Sequence, residues 1–414
     1  MEADAKLACI LNRRVSTSPS ATSDVPYYTE HSATPEEEEP PRWPSTTSQI
    51  LTFQDFRRQL QIHVRSSANI PHLFQDHINS LPQSFRDRPE IRAVFEAMMI
   101  ENTWRDEPGA PRIKIINNID SETTPPWEFH YSNHMWYGSN IPTPNAKKLK
   151  GCDCVGRCNP KSNTCACAKR QRILHNLHED SKFRGFAYDK SGQLVFGDDQ
   201  YPILECNDMC ACDEDCMNRV IQRGRKCKVD LVKTADKGWG VFAAETGKIP
   251  KGTYIGIYAG ELITDADGES RGKIYNHFGR TYLFNLDSYH LKYVNNEEPE
   301  HDDFDNKYVV DAYHAGNFTR FLNHSCAPNC SLFSVYLNTP DLSTPLLALF
   351  STRDIEPREE LSFDYSGDQT ADAADLPKKA DAIHVKCNCG APNCRGVSFL
   401  AKRALLQQLI TLCQ

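Results

Sequence analysis

No stretch of this chain approaches about 18 consecutive apolar residues, so a helical membrane span is not expected. The opening residues, MEADAKLACILNRR, lack an apolar run followed by a small-residue cleavage site, so classical secretion is not expected. Basic excess is missing too: 47 Lys and Arg stand against 55 Asp and Glu, for a net charge of −8. That balance disfavours sequence-independent duplex binding and suits a cationic partner such as a basic peptide tail. No internal repeat of about 20–50 residues is found. What remains, 414 residues with 39% hydrophobic and 25% charged side chains, is a globular composition with room for two or three domains.

Cysteine is the exception to this ordinary composition, with 17 in the chain. Without a secretory leader, they read as metal ligands or catalytic groups, because reducing compartments keep thiols free. Cys152, Cys154, Cys158, Cys165 and Cys167 form one cluster, C-x-C-x3-C-x6-C-x-C. Cys206, Cys210, Cys212 and Cys216 form a second, C-x3-C-x-C-x3-C. If three of these nine sulfurs bridge, they fill the twelve positions that three tetrahedral zinc ions require. Cys387, Cys389 and Cys394 form a third cluster, C-x-C-x4-C, which needs a fourth ligand from elsewhere. A disulfide framework fits the odd total poorly, and the C-x2-C unit of binuclear zinc modules is absent.

Residues 1–49 have the Ser, Thr, Pro and acid content of a disordered tail. A helical segment is expected over 50–110, from Phe53, Phe56, Leu60 and Val64 and then Ile91, Val94, Phe95 and Met98 at three- and four-residue steps. Pro71, Pro82 and Pro89 punctuate the interval. An extended lead-in over 111–146 follows. Beyond Cys227, the runs 228–234, 253–262, 281–287 and 307–313 read as strands between turns. Residues 367–384 read as a mobile polar loop carrying Lys378 and Lys379, and the end of the chain, from Leu400, as a short amphipathic helix over 401–414.

Four motifs stand in order between the clusters: GWGVFA (238–243), YAGEL (258–262), RFLNHSCAPN (320–329) and ELSFDY (360–365). With the flanking cysteines, they resemble the SET-domain histone lysine methyltransferases of the suppressor-of-variegation type, over about residues 147–400. The resemblance implies a mainly β SET fold of small sheets with a knot-like active-site loop. It further implies a trinuclear pre-SET zinc module over 147–220, a SET domain over 227–366 and a post-SET zinc module over 385–400. No chromodomain match is found in residues 1–110, so the helices there either pack on the core or recruit a partner. RFLN and ELSFDY depart slightly from the usual RFIN and ELTFDY.

What this family does then becomes the expectation: methyl transfer from S-adenosylmethionine to lysine 9 of histone H3, in the nucleus, on chromatin, within a heterochromatin recruitment complex and without sequence-specific DNA binding. Tyr365 and Tyr282 match the channel tyrosines, and Phe363 the position favouring di- and trimethylation. Lys237, Gly238, Trp239, Arg320, Phe321, Asn323 and His324 match cofactor contacts, with Phe399 an aromatic lid. Cys326 matches the fourth ligand of the post-SET zinc. With these zinc–thiolate clusters (−3 for nine thiolates on three ions, −2 for four on one), the net charge deepens from −8 to −13, which would steer a basic tail. Two rival readings stay open, a SET enzyme of other specificity and a catalytically silent zinc scaffold.

Overall fold

The computed structural model describes residues 65–127, 129–145, 148–176, 185–195, 201–277, 282–286, 307–365 and 382–402. The tail, the helical pattern from Phe53 to Val64, residues 366–381 with Lys378 and Lys379, and residues 403–414 lie outside the described residues, while residues 382–384, expected in the mobile loop, are strand.

The prolines do punctuate the N-terminal segment. Helix α1 (Leu73–Ser80) begins after Pro71, α2 (Gln83–Arg86) after Pro82, and α3 (Pro89–Asp106) has Pro89 in its first turn, where its missing N–H costs nothing. Ile91, Val94, Phe95 and Met98 are buried on one face of α3, as their spacing predicts. That face packs on the lead-in: the Phe95 ring lies 4.7 Å from Trp127 and 6.4 Å from Phe129. Of the two possibilities for this segment, packing on the core is thus realised by α3.

The four ordered motifs are carried by three small sheets. One has five strands in the order Arg65–Ser66, Trp136–Tyr137, Glu261–Thr264, Tyr308–Asp311, Leu283–Asn285, so the last is an edge. A second orders Asn323–His324, Glu360–Phe363, Trp239–Ala243, Val229–Lys233, Ile115–Ile116. The third joins Ile203–Leu204, Cys330–Tyr336, Leu346–Ser351 and Tyr254–Ile257. The strands expected at 228–234, 281–287 and 307–313 are present. The lead-in contributes three two-residue strands.

Two expectations need correction. The run 253–262 is not one strand: Tyr254–Ile257 and Glu261–Thr264 belong to different sheets. The chain turns at Gly260, where an added Cβ would sit 2.6 Å from the Asp311 carbonyl oxygen, so only glycine permits the approach. At the far end, Leu400 to Lys402 are not helical. They complete strand Val397–Lys402, antiparallel to Ala382–Lys386, where β-branched Ile383, Val385 and Val397 favour the ladder.

The nine clustered cysteines form a core of their own. Eight are at most 3% exposed, and among the described residues the other buried members of this core are Ala168 and Phe186. Helix α4 (Ala166–Asn176) carries Cys167 into this core. Buried Glu205 closes the end of the module by accepting from the Val220 and Ile221 N–H groups, both at 2.8 Å, and its own N–H donates to the Tyr336 carbonyl of the third sheet at 3.1 Å.

Candidate active site

The sulfur geometry is that of metal sites. Cys152 and Cys158 Sγ are 3.5 Å apart, Cys158 and Cys206 3.8 Å, and Cys167 and Cys210 3.5 Å. A disulfide would need about 2.05 Å, whereas a zinc tetrahedron with ~2.3 Å bonds has S···S edges of about 3.8 Å. Three quartets lie within reach of a single ion: Cys152, Cys167, Cys206, Cys210; Cys152, Cys158, Cys206, Cys212; and Cys152, Cys154, Cys158, Cys165. Cys216 interacts with Cys158, Cys206 and Cys212. Giving Cys216 to the middle ion in place of Cys152 leaves each ion four sulfurs. Cys152, Cys158 and Cys206 are then the three bridges, and all nine thiols are used. The donor set fits three zinc ions.

A fourth quartet joins Cys326 to Cys387, Cys389 and Cys394, with Cys326 and Cys387 Sγ 3.9 Å apart. The loop around it is fastened to the RFLNHSC segment. Asn393 Nδ2 donates to the Cys326 carbonyl (3.1 Å), and the Arg395 N–H points at Cys326 Sγ (3.4 Å). Arg395 also donates to buried Asp364 at 2.5 Å, which ties the cysteine loop to the ELSFDY strand.

RFLNH and ELSFDY run side by side, Asn323–His324 pairing in parallel with Ser362 and Phe363. Tyr365 is thereby set beside His324, with ring centroids 5.4 Å apart, and its hydroxyl donates to the Leu322 carbonyl at 2.7 Å. Burial raises the Tyr365 phenol above its ordinary range, so it stays protonated. The Tyr365 N–H donates to His324 Nδ1 at 3.2 Å, and Cys326 Sγ lies 3.4 Å from Nε2. Nδ1 is therefore the acceptor and Nε2 carries the proton. Although Asp364 is 3.5 Å away, burial holds the ring below the usual histidine value, so the contact is not a charged pair.

Phe363, buried, lies 4.9 Å from the Tyr365 ring and 6.2 Å from Phe284. Tyr282 enters the same wall: its carbonyl accepts from the Tyr258 hydroxyl (3.1 Å), and its ring lies 3.8 Å from the Arg320 guanidinium carbon. Tyr258 and Phe284 were not among the expected site residues. Tyr258 opens the YAGEL motif, which was a signal, whereas nothing in TYLFNLD separates Phe284 from a core aromatic.

The GWG turn lies at the end of the second sheet. Gly238 has φ +72, with open space where a Cβ would stand, and at Gly240 a Cβ would meet Glu360 Oε1 at 2.9 Å. Asn323 Nδ2 donates to the Trp239 carbonyl (3.2 Å) and to Glu360 Oε1 (2.8 Å), while Lys237 pairs with Glu360. The buried Trp239 Nε1 has no hydrogen-bond partner among the described residues. An open turn with an uncommitted donor, beside Asn323 and His324, fits a polar cofactor. Arg320 and Phe321 are buried on the inner side of the same loop. Phe399 pairs with His384 along the last hairpin, and its side chain lies outside the described residues. A separate cavity of about 570 Å³, bounded by His72, Asp76, Glu261 and Arg271, contains none of the expected residues.

This arrangement agrees with the comparisons. A SET domain model matches residues 238–366 and a Pre-SET motif model residues 105–219. A solved histone lysine methyltransferase, described for the structural basis of product specificity, is 31% identical, with 69% of this chain covering 99% of that one at a TM-score of 0.54. The chain belongs to the SET-domain histone lysine methyltransferases. An H3 lysine-9 specific histone-lysine N-methyltransferase of Cryptococcus neoformans is 37% identical over 384 residues, 78% of this chain and 21% of that protein. KRYPTONITE, solved with mCHH DNA, an H3(1-15) peptide and SAH, is 28% identical at a TM-score of 0.52, over 69% of this chain and 51% of that one. The chain thus spans about a fifth of the fungal protein's length and about half of KRYPTONITE's.

Proposed function

We propose that this SET protein transfers methyl groups from S-adenosylmethionine to lysine 9 of histone H3, adding two or three, as a nuclear chromatin enzyme of heterochromatin. The carrying observation is the meeting of Tyr365, Phe363, Tyr282 and the Asn323–His324 loop beside a cysteine quartet that includes Cys326. The H3 peptide bound by KRYPTONITE and the lysine-9 specificity of the Cryptococcus relative support the substrate. Recruitment through a heterochromatin complex goes with that assignment.

The bound cofactor supplies a methyl group on a sulfonium centre. The rest is work for this chain's residues. A lysine amine attacks only when neutral, yet its pKa in water is about 10.4. The apolar rings of Phe363 and Phe284 disfavour the ammonium form of an amine held against them. The Tyr365 hydroxyl spends its proton on the Leu322 carbonyl, so its oxygen lone pairs are left to orient the amine and meet the methyl hydrogens. Holding the reacting atoms in line contributes up to about 7–11 kcal/mol. No acid–base dyad is required. Strand Leu283–Asn285, an edge of its sheet, and the hairpin 382–402 offer backbone for a peptide strand to lie between.

Two outcomes separate this from a silent scaffold and from a mono-methylating enzyme. Calorimetric titration with S-adenosylhomocysteine should show binding that Asn323→Ala weakens at least ~10-fold, about 1.4 kcal/mol; no binding by the unaltered protein supports the scaffold. Phe363→Tyr should retain the first methyl addition but largely lose the second and third, because its hydroxyl occupies the space in which a methylated amine rotates. Product mass spectra that do not change would remove Phe363 from that role.

A further inference from the structure

The RFLNHSC motif marks Arg320 as a cofactor contact, but its guanidinium is engaged elsewhere. The side chain is buried (6% exposed), with Cζ 4.0 Å from the Phe129 ring centroid and 3.8 Å from that of Tyr282. A guanidinium is planar, and two rings this close cannot share one face, so each takes its own. Phe129 is fully buried and held by Phe95 of α3 at 6.4 Å, Tyr131 at 6.4 Å and Phe321 at 5.8 Å. Tyr282 is fixed along its backbone, since its carbonyl accepts from the Tyr258 hydroxyl and the Ala312 N–H (3.0 Å). Its ring is flanked by Arg320 on one side and by Tyr313, 6.1 Å away between centroids, on another.

We propose that Phe129 is a positioning residue for the methyl-transfer channel, acting through Arg320 on the Tyr282 ring, so that α3 and the lead-in belong to the catalytic unit. The proposal rests on the methyltransferase reading above. A desolvated cation between two ring faces is held more tightly than the same cation in water. Without the Phe129 face, Arg320 gains a choice of rotamers, and Tyr282 keeps its Tyr313 neighbour but loses a fixed surface on the Arg320 side. A misplaced channel ring lowers the turnover of bound substrate without touching the GWG and Asn323 contacts.

The test is steady-state kinetics of the full chain on a histone H3 tail peptide, with thermal melting alongside. Phe129→Leu, which keeps apolar bulk but loses the ring face, should lower kcat about 10-fold and leave the cofactor KM within about twofold. Arg320→Lys, which keeps charge but loses the plane, should do the same. The double variant should be no slower than the slower single one, because both act on one contact. Wild-type kcat in Phe129→Leu, multiplying losses in the double variant, or a raised cofactor KM in Arg320→Lys would each overturn the proposal. The last would return Arg320 to cofactor contact. Should Phe129→Leu not fold, Arg320→Lys alone decides through its split between kcat and cofactor KM. Failure of the unaltered chain to methylate the peptide would instead overturn the functional reading.

Discussion

Tyr365→Phe is expected to lower methyl transfer at least ~100-fold, about 2.7 kcal/mol of transition-state stabilisation. The hydroxyl removed is the one whose proton goes to the Leu322 carbonyl, which leaves its oxygen lone pairs for the role proposed above. Folding should be affected far less, because a typical hydrogen bond contributes only about 1 kcal/mol net. The ring stays, and with it the packing on Phe363 and His324. Zinc content, melting temperature and S-adenosylhomocysteine affinity should therefore match the unaltered protein while turnover collapses. Near wild-type turnover would remove Tyr365 from the chemistry.

Loss of metal is the second large effect, and the two cysteine sites should answer differently. Cys206 is shared by two of the pre-SET quartets, and among the described residues that core has, besides the clustered cysteines, Ala168 and Phe186 as buried members. Little apolar burial remains if the ions leave, while structural zinc is worth about 10–16 kcal/mol in small zinc domains. Cys206→Ser should cost several ions at once and unfold the module, giving aggregated or protease-sensitive protein. Cys326→Ser touches only the fourth quartet. It should leave a folded protein whose zinc content falls from four ions to three, with activity reduced about 100-fold or more, because Arg395 and Asn393 lose the frame that holds them against Asp364 and Cys326. Plasma emission metal analysis with limited proteolysis distinguishes the two. Retention of full activity by Cys326→Ser would contradict coupling between the zinc loop and the channel.

The parts legible from the amino-acid order are those whose chemistry is local in sequence or fixed by ligand number. Cysteine spacing reports ligand number directly, so nine thiols for three ions were foreseeable, as was the need of Cys387, Cys389 and Cys394 for a distant fourth ligand. The apolar steps from Ile91 to Met98 report one helical face, and the prolines its start. Which sulfurs bridge was not legible, because Cys152, Cys158 and Cys206 differ from their neighbours only in where the fold puts them. Tyr258 and Phe284 look like core aromatics until two sheets bring them to one wall. The stacking of Arg320 between Phe129 and Tyr282 joins three segments far apart in the chain, and no spacing encodes it. Where local pattern misled, tertiary contact decided. Close backbone approach at Gly260 split one apparent strand into two, and cross-strand pairing with Ile383 drew Leu400 into a hairpin.

The central claim is tested most directly by mass spectrometry of a histone H3 tail peptide incubated with zinc-replete protein and S-adenosylmethionine, beside the same peptide with lysine 9 replaced. Successive methyl increments, up to two or three on the first peptide and none on the second, are the predicted result. Equal methylation of both peptides, or none of either by a protein that binds cofactor, would contradict it.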